Sequence, residues 1–312
     1  MATSVTRTTE TFPVARRARR VGDRRTARAM HYAMLCPTLS LLLAFLVVPA
    51  VYVGWLSFNT FTYGQDMQFV GLANYAQLFG DRIFWRAFWN TFFVVNGIVY
   101  VELLLGLGLA VLLSGPVPAK GLIIAVILAP YAITESSGIV MWRYMFEPDV
   151  GMVSQGLGRL GLSQLDWSTN PVETLLLAST IAIWHHLPFT FLILYSALTT
   201  IPKELLEASE IDGATQWQQF RLITLRLIMP AILIAVLFRY IFAIRTFAEV
   251  WLLTEGGPAR LSEVLAIYLY REMFKYHQFG MASATGWFML MMSLLIALPY
   301  LRRMYAEVMR GA

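Results

Sequence analysis

Seven ionisable side chains stand inside long apolar runs of this 312-residue chain. They are Glu102, Glu135, His185, His186, Arg239, Arg245 and Glu249. Charged groups are costly against lipid, so such residues face other helices or a watery cavity and often mark a solute or proton path. The same residues could instead pair with one another or reach the interface, and both interpretations stay open at this point.

The spacing of these residues relates some of them on one helix. Arg239, Ala243 and Thr246 follow an i, i+4, i+7 pattern and therefore share a stripe. Arg245 and Glu249 have the i,i+4 spacing of an ion pair on one helix face.

Motifs for enzymatic or cofactor chemistry are weak. The GLGRLG stretch at 156–161 matches a dinucleotide fingerprint in form, but that motif needs a preceding strand and a following helix. We predict a flexible loop there. Adjacent His185 and His186 point about 100° apart on a helix and make a poor chelating pair. The chain has no phosphate-loop, zinc-protease or nucleophile-elbow motif, so we predict no enzyme activity and no metal.

The elements that must position these residues are membrane helices. Hydrophobic residues make up 58% of the chain. Charged residues make up 14%, well below the charged fraction of a soluble domain. Apolar runs long enough to cross a bilayer recur along the chain. They cover roughly 33–57, 88–113, 120–142, 172–197, 228–252 and 280–301. We predict an all-α polytopic membrane protein with six transmembrane helices.

Arginine placement predicts the orientation. Eight Arg stand within the first 30 residues against Glu10 and Asp23, which favours a cytoplasmic N-terminus and, with six spans, a cytoplasmic C-terminus. We predict a disordered basic tail at 1–30, a transmembrane domain at 31–312, and no cleaved signal peptide. The net charge of +5 is thus a topology signal, and no nucleic-acid partner is predicted. Cys36 is the only cysteine, so no internal disulfide can form.

One polar segment interrupts the apolar pattern between the fourth and fifth runs. Residues 203–230 read KELLEASEIDGATQWQQFRLITLRLIMP, with a helical apolar rhythm, a break at Gly213 and an anchor at Trp217. A helix lying in lipid headgroups would be mainly basic, whereas this segment is as acidic as it is basic. We therefore predict short surface helices that dock into a groove on another protein.

This segment resembles the EAA motif of the permease subunits of bacterial ABC importers. The matching positions are Glu207, Ala208, Gly213, Ile223 and Leu225. Two positions depart from the motif, with Ser209 in place of Ala and Arg226 in place of Pro. FVGLANY at 69–75, WNT at 89–91 and LTEGGPA at 253–259 are similar to the carbohydrate-uptake branch of that family.

The resemblance implies a fold, a function and a set of partners. The chain would have the type I importer permease fold and form half of a pathway for a sugar in the bacterial inner membrane. It would pair with a second homologous permease, two ATPase subunits and an extracytoplasmic solute-binding protein. ATP and Mg²⁺ would act in the ATPase, with no cofactor in this chain.

The resemblance also implies which residues act. Within a coupling segment at about 199–227, the residues that would contact the ATPase are Glu207, Ala208, Ser209, Asp212, Gly213 and Trp217. The residues that would line the substrate pathway are Trp184, His185, His186, Phe189, Arg239, Ala243, Thr246 and Glu249. Relatives often carry Asp where this chain has Ala248, and here Glu249 follows.

Two other function classes stay open. A proton-coupled secondary transporter would use Glu135, His185 or Glu249 as its proton site, although such carriers commonly show inverted repeats that this sequence lacks. A membrane-embedded enzyme would need a catalytic constellation, and none is visible.

Overall fold

A computed structural model describes residues 34–311, with side chains described as far as residue 306. The predicted basic tail at 1–30 lies outside the described residues. The chain divides into two units, of which the first ends at Tyr52 and the second begins at Val53. The first helix, α1, runs Met34–Leu56 with a π-helical turn at Leu43–Val47, and Cys36 is exposed on it.

Helices build nearly all of the described chain. The order continues β1 Asn59–Thr60, β2 Gln68–Phe69, α2 Ala73–Gly80, α3 Arg82–Ser114, α4 Lys120–Leu128, α5 Glu135–Met145, α6 Met152–Arg159, α7 Pro171–Thr199, α8 Lys203–Ile211, α9 Gln216–Gln219, α10 Met229–Ala243, α11 Ala248–Thr254, α12 Leu265–Tyr270 and α13 Phe279–Gly311. β1 and β2 pair antiparallel, with Asn59 opposite Phe69. The predicted all-α class is confirmed.

Five helical stretches are long and apolar enough to span a membrane. They are Met34–Leu56, Arg82–Ser114, Pro171–Thr199, Met229–Thr254 and Phe279–Ala306. Each coincides with one of the predicted apolar runs. Several clusters of buried apolar residues join the later spans, and in one of them Ile98 of α3, Ala182 of α7 and Val236 of α10 meet.

The third predicted span is not one straight helix. α4 continues through a 3-10 turn at Ala129–Ala132, and α5 then departs at an angle of 100°. Pro130 lacks a backbone N–H to continue the helix, Ile133 is extended, and the Thr134 hydroxyl caps the new helix by accepting from Ser137 N. The predicted run at 120–142 is therefore a bent pair of helices, and counted as one span it gives the six predicted.

The GLGRLG stretch also differs from its prediction. Residues 152–159 form helix α6, and the chain leaves it at Gly161, which has a left-handed φ of 71°. The predicted loop is therefore helical over most of the motif. Among the described residues between α5 and α7 there is no strand, so the context that a dinucleotide site requires is missing.

Candidate functional site

The polar segment folds as two short helices joined at a glycine. α8 ends at Ile211, and Gly213 follows with a φ of 80°, which a residue with a side chain adopts only with strain. Thr215 then starts α9 with a capping box, in which its hydroxyl accepts from Gln218 N and Gln218 Oε1 accepts from Thr215 N. The residue types at these few positions thus explain the turn.

One face of α8 is held by the protein, and the other is free. Ser209 points inward and donates to Leu206 O at 2.7 Å, while Gln219 Nε2 of α9 donates to the same carbonyl at 3.3 Å. The other predicted coupling residues are exposed, namely Glu207, Ala208, Asp212, Gly213 and Trp217. Ile211 is 87% exposed and Trp217 66%, so apolar and acidic groups share this surface.

A cavity of about 280 Å³ lies among α5, α7, α10 and α11. Its lining residues are Glu135, Ala182, His186, Arg239, Phe242, Ala243, Arg245, Thr246 and Glu249. Five predicted pathway residues are therefore brought together here, and the predicted stripe of Arg239, Ala243 and Thr246 lines one wall. The structure does not bring Trp184, His185 or Phe189 to this lining.

Those three side chains lie beside the cavity instead. Trp184 packs on Trp142 with ring centres 5.6 Å apart, and His185 stacks on Tyr131. Phe189 contacts the edge of Phe242, which itself lines the cavity. Helical geometry separates the groups, because residue 186 points about 100° away from its neighbour at 185.

The span after the polar segment is broken at the cavity. α10 ends at Ala243, residues 244–247 form a turn, and α11 begins at Ala248. The expected i,i+4 pair of Arg245 and Glu249 therefore does not form, and no ion pair joins them in the described part of the chain. The break turns Thr246 and Glu249 toward the same space.

Arg239 forms a buried ion pair with a residue of another span. Its Nε donates to Glu102 Oε2 at 2.7 Å, and the Thr190 hydroxyl donates to Glu102 Oε1 at 2.5 Å. These three residues link α10, α3 and α7. A side chain at Gly106 would meet Thr190 Cγ2 at 2.9 Å, so glycine one turn beyond Glu102 permits this approach.

Glu249 is buried beside the cavity without a complete set of partners. Its side chain is only 4% exposed and its Oε2 has no hydrogen-bond partner.

Two ionisable residues that line the cavity, Glu135 and Arg245, were missing from the predicted lining. The bend before α5 and the break after α10 bring them in, and neither follows from helical periodicity.

The cavity offers no metal centre. Within residues 34–311, no group of three His, Cys, Asp or Glu side chains is arranged to hold a metal ion. The lining can instead exchange hydrogen bonds with a polar solute, since it combines carboxylates, guanidinium groups, an imidazole and a hydroxyl.

Comparison with known proteins decides the family. Residues 12–306 match the family described as binding-protein-dependent transport system inner membrane component. The chain belongs to this family. It is an ABC importer permease, embedded in the inner membrane by several helices.

The permease is similar to known transport permeases over most of its length. It is 32% identical over 278 residues to the sulfoquinovosyl glycerol transport system permease protein SmoG of Agrobacterium fabrum, covering 88% of this chain and 90% of that one. It is 29% identical over 274 residues to the trehalose/maltose transport system permease protein MalF of Thermococcus litoralis, covering 88% and 92%.

A solved structure shows the same fold. A permease chain of a bacterial alginate ABC transporter, in complex with an alginate pentasaccharide-bound periplasmic protein, matches with a TM-score of 0.77 at 23% identity, covering 90% of this chain and 96% of that one. The predicted importer permease fold is confirmed.

The WNT motif contacts the segment that follows LTEGGPA, far away in sequence. Asn90 of WNT donates through Nδ2 to Leu261 O and Glu263 O, both at 2.8 Å, just beyond LTEGGPA. Thr91 Oγ1 accepts from Leu265 N at 2.8 Å. Gly256 forms the turn with a φ of 84°, which favours glycine. A side chain there would also crowd Glu263, because an added Cβ would lie 3.3 Å from its Cα. WNT therefore holds the segment just after LTEGGPA by three hydrogen bonds.

Proposed function

We propose that this permease forms one half of the transmembrane pathway of an ATP-driven carbohydrate importer, beside a second homologous permease. The names of its relatives support a carbohydrate, because they refer to sulfoquinovosyl glycerol, trehalose and maltose. Those names differ from one another, so they support the class of solute and no single member of it.

The exposed surface of α8 and α9 carries this proposal. Ile211 and Trp217 are large apolar groups held out from the protein, with Glu207 and Asp212 beside them. An apolar anchor with a polar rim is typical of a protein interface. We infer that two ATPase subunits bind the complex, one of them here, and that they hold the ATP and Mg²⁺.

The mechanism follows from where the surface and the cavity lie along the chain. The coupling segment leads directly into α10, whose far end lines the cavity. ATP-driven movement of α8 would tilt α10 and expose the cavity to each side of the membrane in turn. Such coupling requires that ATPase contact with α8 differ in free energy between the two states. The permease itself would break no bond.

The remaining parts complete the importer. A solute-binding protein would deliver the sugar on the side opposite the ATPases, and both termini of the permease would lie in the cytoplasm. Solute would pass the cavity that His186, Arg239, Ala243, Thr246 and Glu249 line, with the partner permease supplying the facing wall.

The test is co-purification of the detergent-solubilised permease with its partners, with Gly213→Asp compared to Gly64→Asp. Both glycines have a φ of 80° and no atom within 4 Å of an added Cβ, so the two substitutions are matched in strain and space. We expect the ATPase to be lost from Gly213→Asp and retained by Gly64→Asp. The second permease should remain in both.

A second pair of variants tests the apolar anchor without backbone strain. Ile211→Glu places a charge on α8, and Leu160→Glu places one on a residue that is 76% exposed at the end of α6. We expect only Ile211→Glu to release the ATPase. Import by the permease alone in liposomes, without ATP and sensitive to a protonophore, would overturn the importer and favour a secondary carrier.

A further inference from the structure

The charged groups around the cavity come from every element that packs against it. Glu135 comes from α5, His186 from α7 and Arg239 from α10, while Arg245 and Glu249 come from the turn and α11. Counted by type, the two arginines suggest a site for an acidic solute. The hydrogen bonds change that conclusion.

Arg239 has little charge to offer a solute. Its guanidinium is 4% exposed and contacts Glu102, a carboxylate with no exposure, so the pair is neutral as a unit. Glu102 itself lies behind Arg239 and is absent from the cavity lining. The charges left facing the cavity are one cation, Arg245, and two carboxylates, Glu135 and Glu249.

Glu249 is the most constrained of these groups. Arg245 and Glu135 are exposed on the surface of this single chain, whereas Glu249 is buried. Glu249 lines the cavity although it is 96% buried, and its Oε2 has no hydrogen-bond donor. A buried carboxylate accepts hydrogen bonds and gives none, and leaving it unpaired is costly. A ligand that supplies a hydroxyl or ammonium donor relieves this cost, whereas an anionic ligand adds repulsion.

We propose that the cavity selects sugars that carry no negative charge, and that Glu249 sets this selection by accepting a hydrogen bond from the sugar. The proposal rests on the carbohydrate-importer function and adds the charge class of its substrate. Arg239 serves the site indirectly, because its pairing with Glu102 removes the cation that would otherwise attract an acid.

The test measures sugar binding to the complete importer complex in detergent, without its binding protein, by saturation-transfer NMR. Leaving out the binding protein removes that protein's own selectivity. The neutral probes are trehalose and maltose, and the anionic probes are the same disaccharides with one hydroxymethyl group oxidised to a carboxylate. We expect the neutral probes to bind at least tenfold more tightly to the unaltered complex.

Three variants assign the selection to Glu249. Glu249→Gln removes the charge and should reduce the preference to less than threefold. Glu249→Asp keeps the charge and should preserve it, which separates a charge effect from a packing effect. Glu147→Gln removes a carboxylate outside the cavity lining and should leave the ratio unchanged.

The proposal is overturned if the anionic probes bind as tightly as the neutral ones, if neither neutral probe binds, or if Glu249→Gln leaves the ratio unchanged. Failure of the importer function gives a different result, because it appears as loss of ATP-dependent uptake and of co-purifying ATPase. An importer that takes up an acidic sugar would retain the proposed function and refute this inference alone.

Discussion

Glu263 and Glu249 are two buried carboxylates on neighbouring segments with opposite surroundings. Glu263 has no exposure and accepts two hydrogen bonds from Arg260, both at 2.6 Å, while Arg271 approaches at 3.4 Å. These hydrogen bonds, which Arg260 donates to Glu263, raise the pKa of Arg260. Glu249 is nearly as buried, yet its side chain lines a cavity and one of its oxygens has no partner.

The difference separates structure from function. A buried acid with all partners supplied by its own chain stabilises the fold around it, and Glu263 holds the loop after Gly256 in this way. A buried acid left without a donor costs stability, which is expected where a ligand supplies the missing group. Glu102 combines both situations, because it is fully paired but its partner Arg239 lines the cavity.

The largest effect is expected from breaking the pair of Glu102 and Arg239. Arg239→Met leaves a buried carboxylate without its cation, at a cost of about 3–5 kcal/mol in unfolding free energy. Replacing both residues, with Glu102→Leu and Arg239→Met, should restore most of it. Thermal unfolding in detergent measures both, and equal losses in the single and double variants would mean that the pair does not act as a unit.

A smaller loss is expected at the fully paired acid. Glu263→Gln leaves Arg260 and Arg271 without an anionic partner, and because both are partly exposed the cost is about 2 kcal/mol. Asp66→Asn, in an exposed loop, is the control and should be neutral. A neutral result for Glu263→Gln would show that the loop is held mainly by Asn90 and Thr91.

The pH dependence of stability tests Glu272, another acid near this loop. Burial raises the pKa of Glu272 to about 7, with Asp81 and Glu263 adding to the rise and Arg260 opposing it. Between about pH 4.5 and 7 the folded state therefore binds a proton that the unfolded state has lost, so stability falls as pH rises through this window.

Glu272→Gln should remove this fall, which we expect to be about 1 kcal/mol after solvent screening. Unfolding temperatures from pH 5 to 8 measure it, with the unaltered permease as the reference. A variant that keeps the full pH slope would assign the slope to other groups.

The smallest effect is expected at Glu249. Glu249→Gln should lower the unfolding free energy by no more than about 0.5 kcal/mol or should increase it. The reason is that the substituted oxygen makes no hydrogen bond in the fold. The same detergent unfolding assay applies. A loss as large as that of Glu263→Gln would erase the distinction between the two acids and make Glu249 a structural residue.

Much of the cavity wall was predictable, and its chemistry was not. The stripe of Arg239, Ala243 and Thr246 was visible in the spacing, and all three line the cavity. The pairing of Arg239 was hidden, since Glu102 lies 137 positions away in sequence. A local pattern can indicate which face of a helix is polar, but not which group on another helix it meets.

The breaks in the helices were also difficult to predict from local sequence. Pro130 and Thr134 were visible as stop and start signals, yet a membrane span can also absorb a proline as a kink. No residue in the Ile244–Phe247 turn is a strong helix breaker, so the sequence did not indicate that α10 would end there.

The sequence by itself determined the class, the family, nearly all the spans and the two-helix form of the coupling segment. These features depend on local composition, on apolar runs of membrane length and on glycine and capping residues that act within a few positions. The tertiary structure alone decided which charges are paired and which face the cavity. That choice depends on contacts between distant segments, where the balance of desolvation and pairing is settled.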